Sequence, residues 1–420
     1  MQNLLKGIRV IEGSAFIAAP SGGMTLAQLG ADVIRFDMIG GGIDYRRWPI
    51  TKSGKSLYWH SLNKGKRSIA VDFRKPEGQE LLTRLITAPG NGSGIFLTNF
   101  PAKGWLADEK LRATRDDLIY LNLVGDRHGG SALDYTVNSK VGIPYLAGDG
   151  NSAGEEQDRS GGNESRIPIN SPFPAWDVIA GQQIALGLLA ADRHRLLTGE
   201  GQFIKLALAD VALATMGHLG YIAEAQLNQQ PRQPVGNHIF GTFGHDFACR
   251  DGKRVMIVGV SPNQWRAIVE VTGTTQQVGR LSDQLKLDFK KEGDRYQARE
   301  QLKELFQPWF AGLNFQSVTQ ALEEAGVCWG PYQTIKELVD SDPDCSTDNP
   351  LFSQINQPGI GSVLVPSQPL NFSALPVSEP QPAPLLGEHT DQILAQVLEM
   401  DSMEIAKLHD SGIVAGADPQ

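Results

Sequence analysis

Asp177 is the residue on which chemistry is most readily built. It stands in PAWDVIAG (174–181), at the mouth of a long apolar run, QQIALGLLAADRH, that closes in the turn LLTGEGQ. Two tasks suit a carboxylate there. It can cap a helix by accepting hydrogen bonds from the first unpaired amides, which stabilises the helix by about 0.5–2 kcal/mol. The helix dipole also favours the ionised form, and an ionised carboxylate can attack an activated acyl group. Pro174 and Trp176 on either side would help to keep water out. Spacing alone leaves both tasks open.

Other constellations carry less. The stretch LNKGKRSIAVDFRK (62–75) gathers Lys64, Lys66, Arg67, Arg74 and Lys75, a local patch suited to a small phosphorylated ligand. The eight histidines have no H-x-x-x-H or H-E-x-x-H spacing, and Cys249, Cys328 and Cys345 form no CxxC, so neither a metal site nor a disulfide framework is expected. GHD (244–246) is the one His-Asp neighbour pair of note. Adjacent strand residues point to opposite faces, which makes a dyad unfavourable. There is no G-x-S-x-G elbow. An acid, Asp37, ends the second predicted strand as in nucleotide-binding folds, but EGSAFIAAPSGG (12–23) lacks the G-x-G-x-x-G that brings amides onto a pyrophosphate.

The elements that must position Asp177 read as α/β. GIRVIEG (7–13), DVIRFD (32–37), SIAVDF (68–73), GIFLTNF (94–100) and LIYLNLVG (118–125) read as buried strands, with helices over 21–31 and 76–86 between them. Strand–helix–strand units of this length make a parallel sheet by right-handed crossover. Residues 148–170 read as a surface loop. A helix follows Asp177, then a strand at 203–208 and a helix over 209–227. After Pro231 the pattern changes to an α+β one. FACRDGKRVMIVGV (247–260) reads as a hairpin turning at Asp251–Gly252, with helices near 262–273 and 294–306. Beyond about 325 the chain becomes rich in proline and glycine and ends in helical segments around 389–410.

The 420 residues exceed one ordinary core. The expected division is a large domain over 1–228, a small domain over 229–325, and a C-terminal segment, 326–420, returning to the large one. A formal net charge of −9 argues against nucleic acid as a partner. MQNLLKGIRVIEG has no signal-peptide architecture and no apolar run is long enough to span a bilayer, so a cytoplasmic location is expected.

Four stretches, in order, carry a resemblance: LKGIRVIEGSAFIAAPSGGMTLAQLGADVIRFD, NKGKRSIAVDFRKPEGQELLTRLI, PAWDVIAGQQIALGLLAADRHRLLTGEGQ and LLGEHTDQIL. Together they resemble the class III (CaiB/BaiF-type) CoA-transferases over residues 5 to 413. The resemblance implies a Rossmann-like large domain built from both termini, a small middle domain, and an interlocked ring-like homodimer. It implies that Asp177 attacks a thioester carbonyl to give a mixed anhydride, that the released CoA thiolate converts this to an aspartyl-CoA thioester, and that an acceptor carboxylate resolves it. CoA arrives as part of the acyl-CoA substrate, so no separate cofactor is expected.

By position, the family's CoA-binding segments fall on Phe16, Ile17 and Ala18, on Val71 and Arg74, and on Asn99 and Phe100. The chain departs from members that transfer formyl and oxalyl groups. Their loop glutamine is Ile17 here, their arginine after the second strand is Met38, and their glycine run is reduced to GTFG (241–244). Phosphate contacts must then come from elsewhere, with Lys103 and Arg67 as candidates. EGSAFIAAPSGGMTLAQLGADVIRFD, GGSALDYTVN, DPDCSTDNP and QPGIG are most similar to members that move CoA from one carboxyl of mesaconate to the other within one bound molecule. Arg47, Tyr135 and Asn138 are the candidate donors for the distal carboxylate. Intermolecular CoA transfer between dicarboxylic acids is the first alternative. α-Methylacyl-CoA racemisation is the second, but DYTVNSKVGIPYLAG has no histidine where the racemases carry their base.

Overall fold

The computed structural model describes residues 4–148, 167–375 and 379–417. In chain order the first elements are β1 (Arg9–Gly13), α1 (Ala18–Gln28), β2 (Asp32–Asp37), α2 (Leu57–Leu62), β3 (Arg67–Val71), α3 (Pro76–Ile86), β4 (Ile95–Thr98), α4 (Asp108–Thr114), β5 (Ile119–Val124) and α5 (Asp134–Lys140). Next come α6 (Ala175–Thr198), β6 (Gln202–Ala207), α7 (Leu208–His218) and α8 (Tyr221–Asn228). The middle of the chain forms β7 (Phe243–Ala248), β8 (Arg254–Gly259), α9 (Pro262–Val271), α10 (Thr275–Leu285), α11 (Glu292–Gln297), α12 (Arg299–Gly312), α13 (Phe315–Glu324), β9 (Cys328–Pro331) and α14 (Ile335–Ser341). The chain closes with β10 (Phe352–Gln357), β11 (Gly361–Pro366), α15 (Thr390–Val397), α16 (Ser402–Asp410) and β12 (Val414–Ala415).

Two packed units result, one of residues 1–141, 172–223 and 343–420, the other of 142–171 and 224–342. The first is built from both chain ends around a seven-stranded sheet in the order β12-β3-β2-β1-β4-β5-β6. All neighbours are parallel except β12, which runs antiparallel to β3. The six parallel strands have the Rossmann order 3-2-1-4-5-6, whose direction of winding reverses between β1 and β4. Burial on both faces explains why the central strand β4 is continuously apolar rather than alternating, whereas the outer β6 alternates. Val10, Ile34, Phe36, Ile69, Phe96 and Tyr120 are essentially inaccessible to solvent. The C-terminal segment is sewn to β3: Gly387 N–H donates to Ser68 Oγ at 3.0 Å and His389 N–H to the Ser68 carbonyl at 2.9 Å.

α1 begins at Ala18, three residues before the start expected from the sequence, and takes in Gly22 and Gly23. The reason is packing. A Cβ on Gly22 would stand 2.7 Å from Ile184 Cγ2 of α6, and one on Gly23 would stand 1.8 Å from Glu12 Oε2. Glycine is needed for α6 and β1 to approach α1 this closely. The expected single helix over 209–227 is two, α7 and α8, broken at Gly220 (φ +80°). The loop expected over 148–170 lies largely outside the described residues.

The second unit pairs β7-β8-β9 as an antiparallel sheet, with the expected hairpin turning through Gly252. Phe243, Phe247, Ile257, Phe306 and Phe310 form its core, Phe247 and Phe310 stacking at 4.2 Å. Asp246 of the GHD stretch is buried and held by Asn237 and Arg254.

Candidate active site

Ligands of open parallel sheets sit at the carboxyl edge, where the strand order reverses. Here that edge carries the turns after β1 and β4, and the two are tied together by one side chain. Asn99 Oδ1 accepts from the Ala15 amide at 2.9 Å, and Asn99 Nδ2 donates to the Ala15 carbonyl at 2.7 Å. Phe16 takes φ +68°, a region disfavoured for a bulky side chain. Its amide donates to Asp44 Oδ2 at 2.5 Å. Phe16, Ile17, Ala18, Asn99 and Phe100 thus lie on adjoining turns at the carboxyl edge of the sheet. Val71 is fully buried at the end of β3, Lys103 is exposed beyond β4, and the exposed Arg74 is engaged by Asp72 at 2.8 Å.

The basic stretch is not the open cationic patch expected from the sequence. Lys66 is buried, donating to Glu12 Oε1 at 2.9 Å, Asn63 Oδ1 at 2.9 Å and the Pro20 carbonyl at 2.8 Å. Arg67, a candidate phosphate ligand, is paired with Asp32 at 2.6 Å. Lys75 donates to the carbonyls of Ser411 and Gly412. These charges hold the unit together, because strands packed at the sheet centre leave them nowhere else to be satisfied. Asp37, placed where a dinucleotide fold holds its ribose, is buried against Arg35 at 2.8 Å.

α6 starts on the same edge. Its C-terminal Arg195 bonds the Ser93 and Gly94 carbonyls ahead of β4, so its first turn lies at the opposite, carboxyl end. Asp177 does not cap this helix. The N-cap position is Pro174, which has no side-chain acceptor, and Asp177 is the third residue of the first turn. Its amide instead donates to Asp134 Oδ2 of α5 at 2.9 Å. Nor is its carboxyl kept readily ionised. Burial, then the Asp134 charge, pushes it up to about 7, with Arg47 acting the other way. Among the described residues no donor contacts the carboxyl group, so desolvation outweighs the dipole.

Arg47 and Tyr58 act on Asp177, and Tyr135 and Asn138 stand on the neighbouring α5. The Arg47 guanidinium lies 5.2 Å from the ring centres of both Phe16 and Tyr58, and 3.9 Å from Asp44. Two aromatic rings and one carboxylate thereby fix a cation next to the acid. Tyr58 escaped the sequence reading, since nothing in SLYWH marks it. Its hydroxyl is buried without a hydrogen-bond partner among the described residues, and its ionisation is pushed up by burial, then by Asp44 and, more weakly, by Asp177. Tyr135 is half-exposed, its hydroxyl donating to the Pro172 carbonyl at 3.3 Å. Asn138 is buried, and its Oδ1 accepts from the Trp176 indole at 3.1 Å. Among the described residues no group of three or more His, Cys, Asp or Glu is arranged to hold a metal ion. No described helix is long and apolar enough to cross a membrane.

The large unit is thus a Rossmann-like α/β sheet that presents a desolvated carboxyl group and, near it, a guanidinium. The family model described as CoA-transferase family III matches residues 5–390, and the chain belongs to that family. It is 54% identical over 425 residues, covering 100% of this chain and 99% of the other, to the 2-methylfumaryl-CoA isomerase of Chloroflexus aurantiacus. The succinyl-CoA–D-citramalate CoA-transferase of the same organism is 27% identical, covering 98% of each chain. A CaiB/BaiF family protein from Brucella suis superposes with a TM-score of 0.73 at 24% identity, covering 94% of this chain and all of the other, which establishes the shared fold.

Proposed function

We propose that the protein transfers CoA from one carboxyl group of mesaconate to the other, converting 2-methylfumaryl-CoA to 3-methylfumaryl-CoA within one bound molecule. The observation that carries this is the desolvated carboxyl of Asp177, on which the Arg47 guanidinium acts, in a chain 54% identical over its full length to a 2-methylfumaryl-CoA isomerase. The Asp177 carboxylate adds to the thioester carbonyl, the C–S bond breaks, and a mixed anhydride and CoA thiolate form. The thiolate attacks the Asp177 carbonyl of the anhydride, leaving an aspartyl-CoA thioester and free mesaconate. The distal carboxylate of the reoriented acid then attacks that thioester, and the thiolate returns to the substrate's newly activated carbonyl. Asp177 is regenerated, and no outside acceptor is consumed. Retention of mesaconate raises its effective concentration far above that of free acids.

CoA is carried in and out as substrate, without a further cofactor, and its binding falls to Phe16, Ile17, Ala18, Asn99 and Phe100, with Val71, Arg74 and Lys103 around them. Arg47 and Tyr135 are the donors for the distal carboxylate, with Tyr58 beside them. Asn138 acts through Trp176. Leu186, Leu196 and Leu197 of α6 and Leu213 of α7 stand exposed, apolar area that suits a second copy of the chain in a homodimer. A cytoplasmic location accords with an acyl-CoA substrate.

The test uses unlabelled mesaconyl-CoA with isotopically labelled free mesaconate. Isomer should form while the thioester pool stays unlabelled. Rapid entry of label would establish intermolecular transfer instead, and α-hydrogen exchange with deuterated water on a saturated 2-methylacyl-CoA would establish racemisation. Arg47→Ala should lower kcat/KM for mesaconyl-CoA by about 30–100-fold, the value of one charge-assisted contact. Arg47→Lys should restore little, since an ammonium does not stack between two rings. Steady-state rates on mesaconyl-CoA, with binding of a monocarboxylic acyl-CoA as control, read both.

A further inference from the structure

The first turn of α6 needs acceptors for amides that its own N-cap, Pro174, does not satisfy. They come from α5. Asp134, only 4% exposed, takes the Asp177 amide at 2.9 Å and also accepts from the Trp176 amide. One helical turn further along α5, Asn138 takes the Trp176 indole at 3.1 Å. Positions four apart lie on one face of a helix. The two side chains therefore grip consecutive residues of α6, 176 and 177, from a single buried face.

An asparagine at 134 would accept the same amides without bringing a buried charge next to the Asp177 carboxyl. A carboxyl group stands there instead, pushed up by burial against the pull of the Asp177 and Trp176 amides, and its ionised form has a chemical consequence. A carboxylate with a like charge beside it is a weaker acid, and nucleophilicity rises with basicity. We propose that α5 is the clamp of the nucleophile, in which Asp134 is a positioning residue that fixes the main chain of Asp177 and confronts its carboxyl group with a like charge, while Asn138 fixes Trp176. This rests on Asp177 being the nucleophile. Among the described residues, the other charged or titratable groups that act with Asp177 are Arg47, from the segment between β2 and α2, and Tyr58 of α2. Both remain in the variants below.

The experiment compares pH profiles of kcat/KM and kcat for the wild type, Asp134→Asn and Asp177→Asn on mesaconyl-CoA, with thermal melting of each. Asp134→Asn keeps an acceptor for both amides, so its melting temperature should stay close to the wild-type value. Its acidic limb should move to lower pH by about one unit, and its plateau kcat should fall about 3-fold as the nucleophile becomes less basic. Asp134→Ala removes acceptor and charge together and should lose a further factor of about 10 in kcat. A profile for Asp134→Asn that superimposes on the wild type in both limb and plateau would reduce Asp134 to a helix cap and overturn the inference. Should Asp177→Asn itself turn over at the wild-type rate, the nucleophile assignment fails and the clamp with it. An inactive Asp177→Asn beside an unaltered Asp134→Asn isolates the failure to the clamp.

Discussion

Asp177→Asn is expected to abolish turnover while making the folded chain more stable at alkaline pH. Loss of the nucleophile should lower kcat by about 10⁴-fold or more. The stability effect has the opposite sign because the folded protein holds this carboxyl at about 7, whereas an unfolded chain has it at its ordinary acidic value. The folded state thus binds the proton more tightly. Its contribution to stability is present below about pH 4 and is lost as the pH rises through 7. Asparagine carries no charge at any of these values. Allowing for partial solvent access, the variant should gain on the order of 1–3 kcal/mol at pH 8. Melting temperatures at pH 4, 6 and 8 check this: the gap between variant and wild type should widen with pH. A gap independent of pH would mean that the site does not hold Asp177 as a suppressed charge. Intact mass after mixing with substrate provides the chemical half, a CoA adduct at residue 177 in the wild type and none in the variant.

The second large effect concerns the buried charges of the large unit. Lys66 and Arg35 face Glu12 and Asp37, all buried, with Arg35 Nη1 3.3 Å and Lys66 Nζ 2.9 Å from the same Glu12 oxygen. Burial pushes the Lys66 ammonium down to about 8. Lys66→Met should destabilise the large unit by about 3–5 kcal/mol, since it leaves an uncompensated carboxylate in the interior. Adding Glu12→Gln removes that charge and leaves Arg35 with Asp37 as a balanced pair. The double variant should therefore be more stable than Lys66→Met alone, an inversion that a sum of independent effects forbids. Denaturation of the four chains of the cycle measures it. The network also reaches Ser14 and the Pro20 carbonyl, on either side of Phe16–Ala18. KM for the CoA ester should rise with Lys66→Met and recover in the double variant.

Much of the scaffold is legible in the sequence because its signals are local. β2 and α3 occupy the residues expected, 32–37 and 76–86, the helix opening with Pro76 and an acid in its first turn and closing with Arg84 near its end. The β10–β11 hairpin has no comparable signal, since QPGIG reads as a loop and its strands alternate weakly. The start of α1 lies earlier than its sequence suggests because glycines count against a helix until the neighbour that needs them is known. Asp177 was identified from its residues and a family likeness, yet its expected task as a cap was wrong. The cap is Asp134, more than forty residues earlier, and no pattern around either residue links them.

Periodicity and turn chemistry mark by themselves an α/β protein, and the resemblance carried by four ordered stretches points to a CoA-transferase and singles out one carboxylate. Those properties belong to a few consecutive residues at a time. The tertiary structure decided what that carboxylate experiences: its burial, the like charge of Asp134, the cation of Arg47 held between two rings, and the conversion of an apparent cationic patch into internal ties. These depend on which distant side chains share a volume from which water is excluded. That volume exists only after α5, α6 and the turn following β1 have met at the carboxyl edge of the sheet.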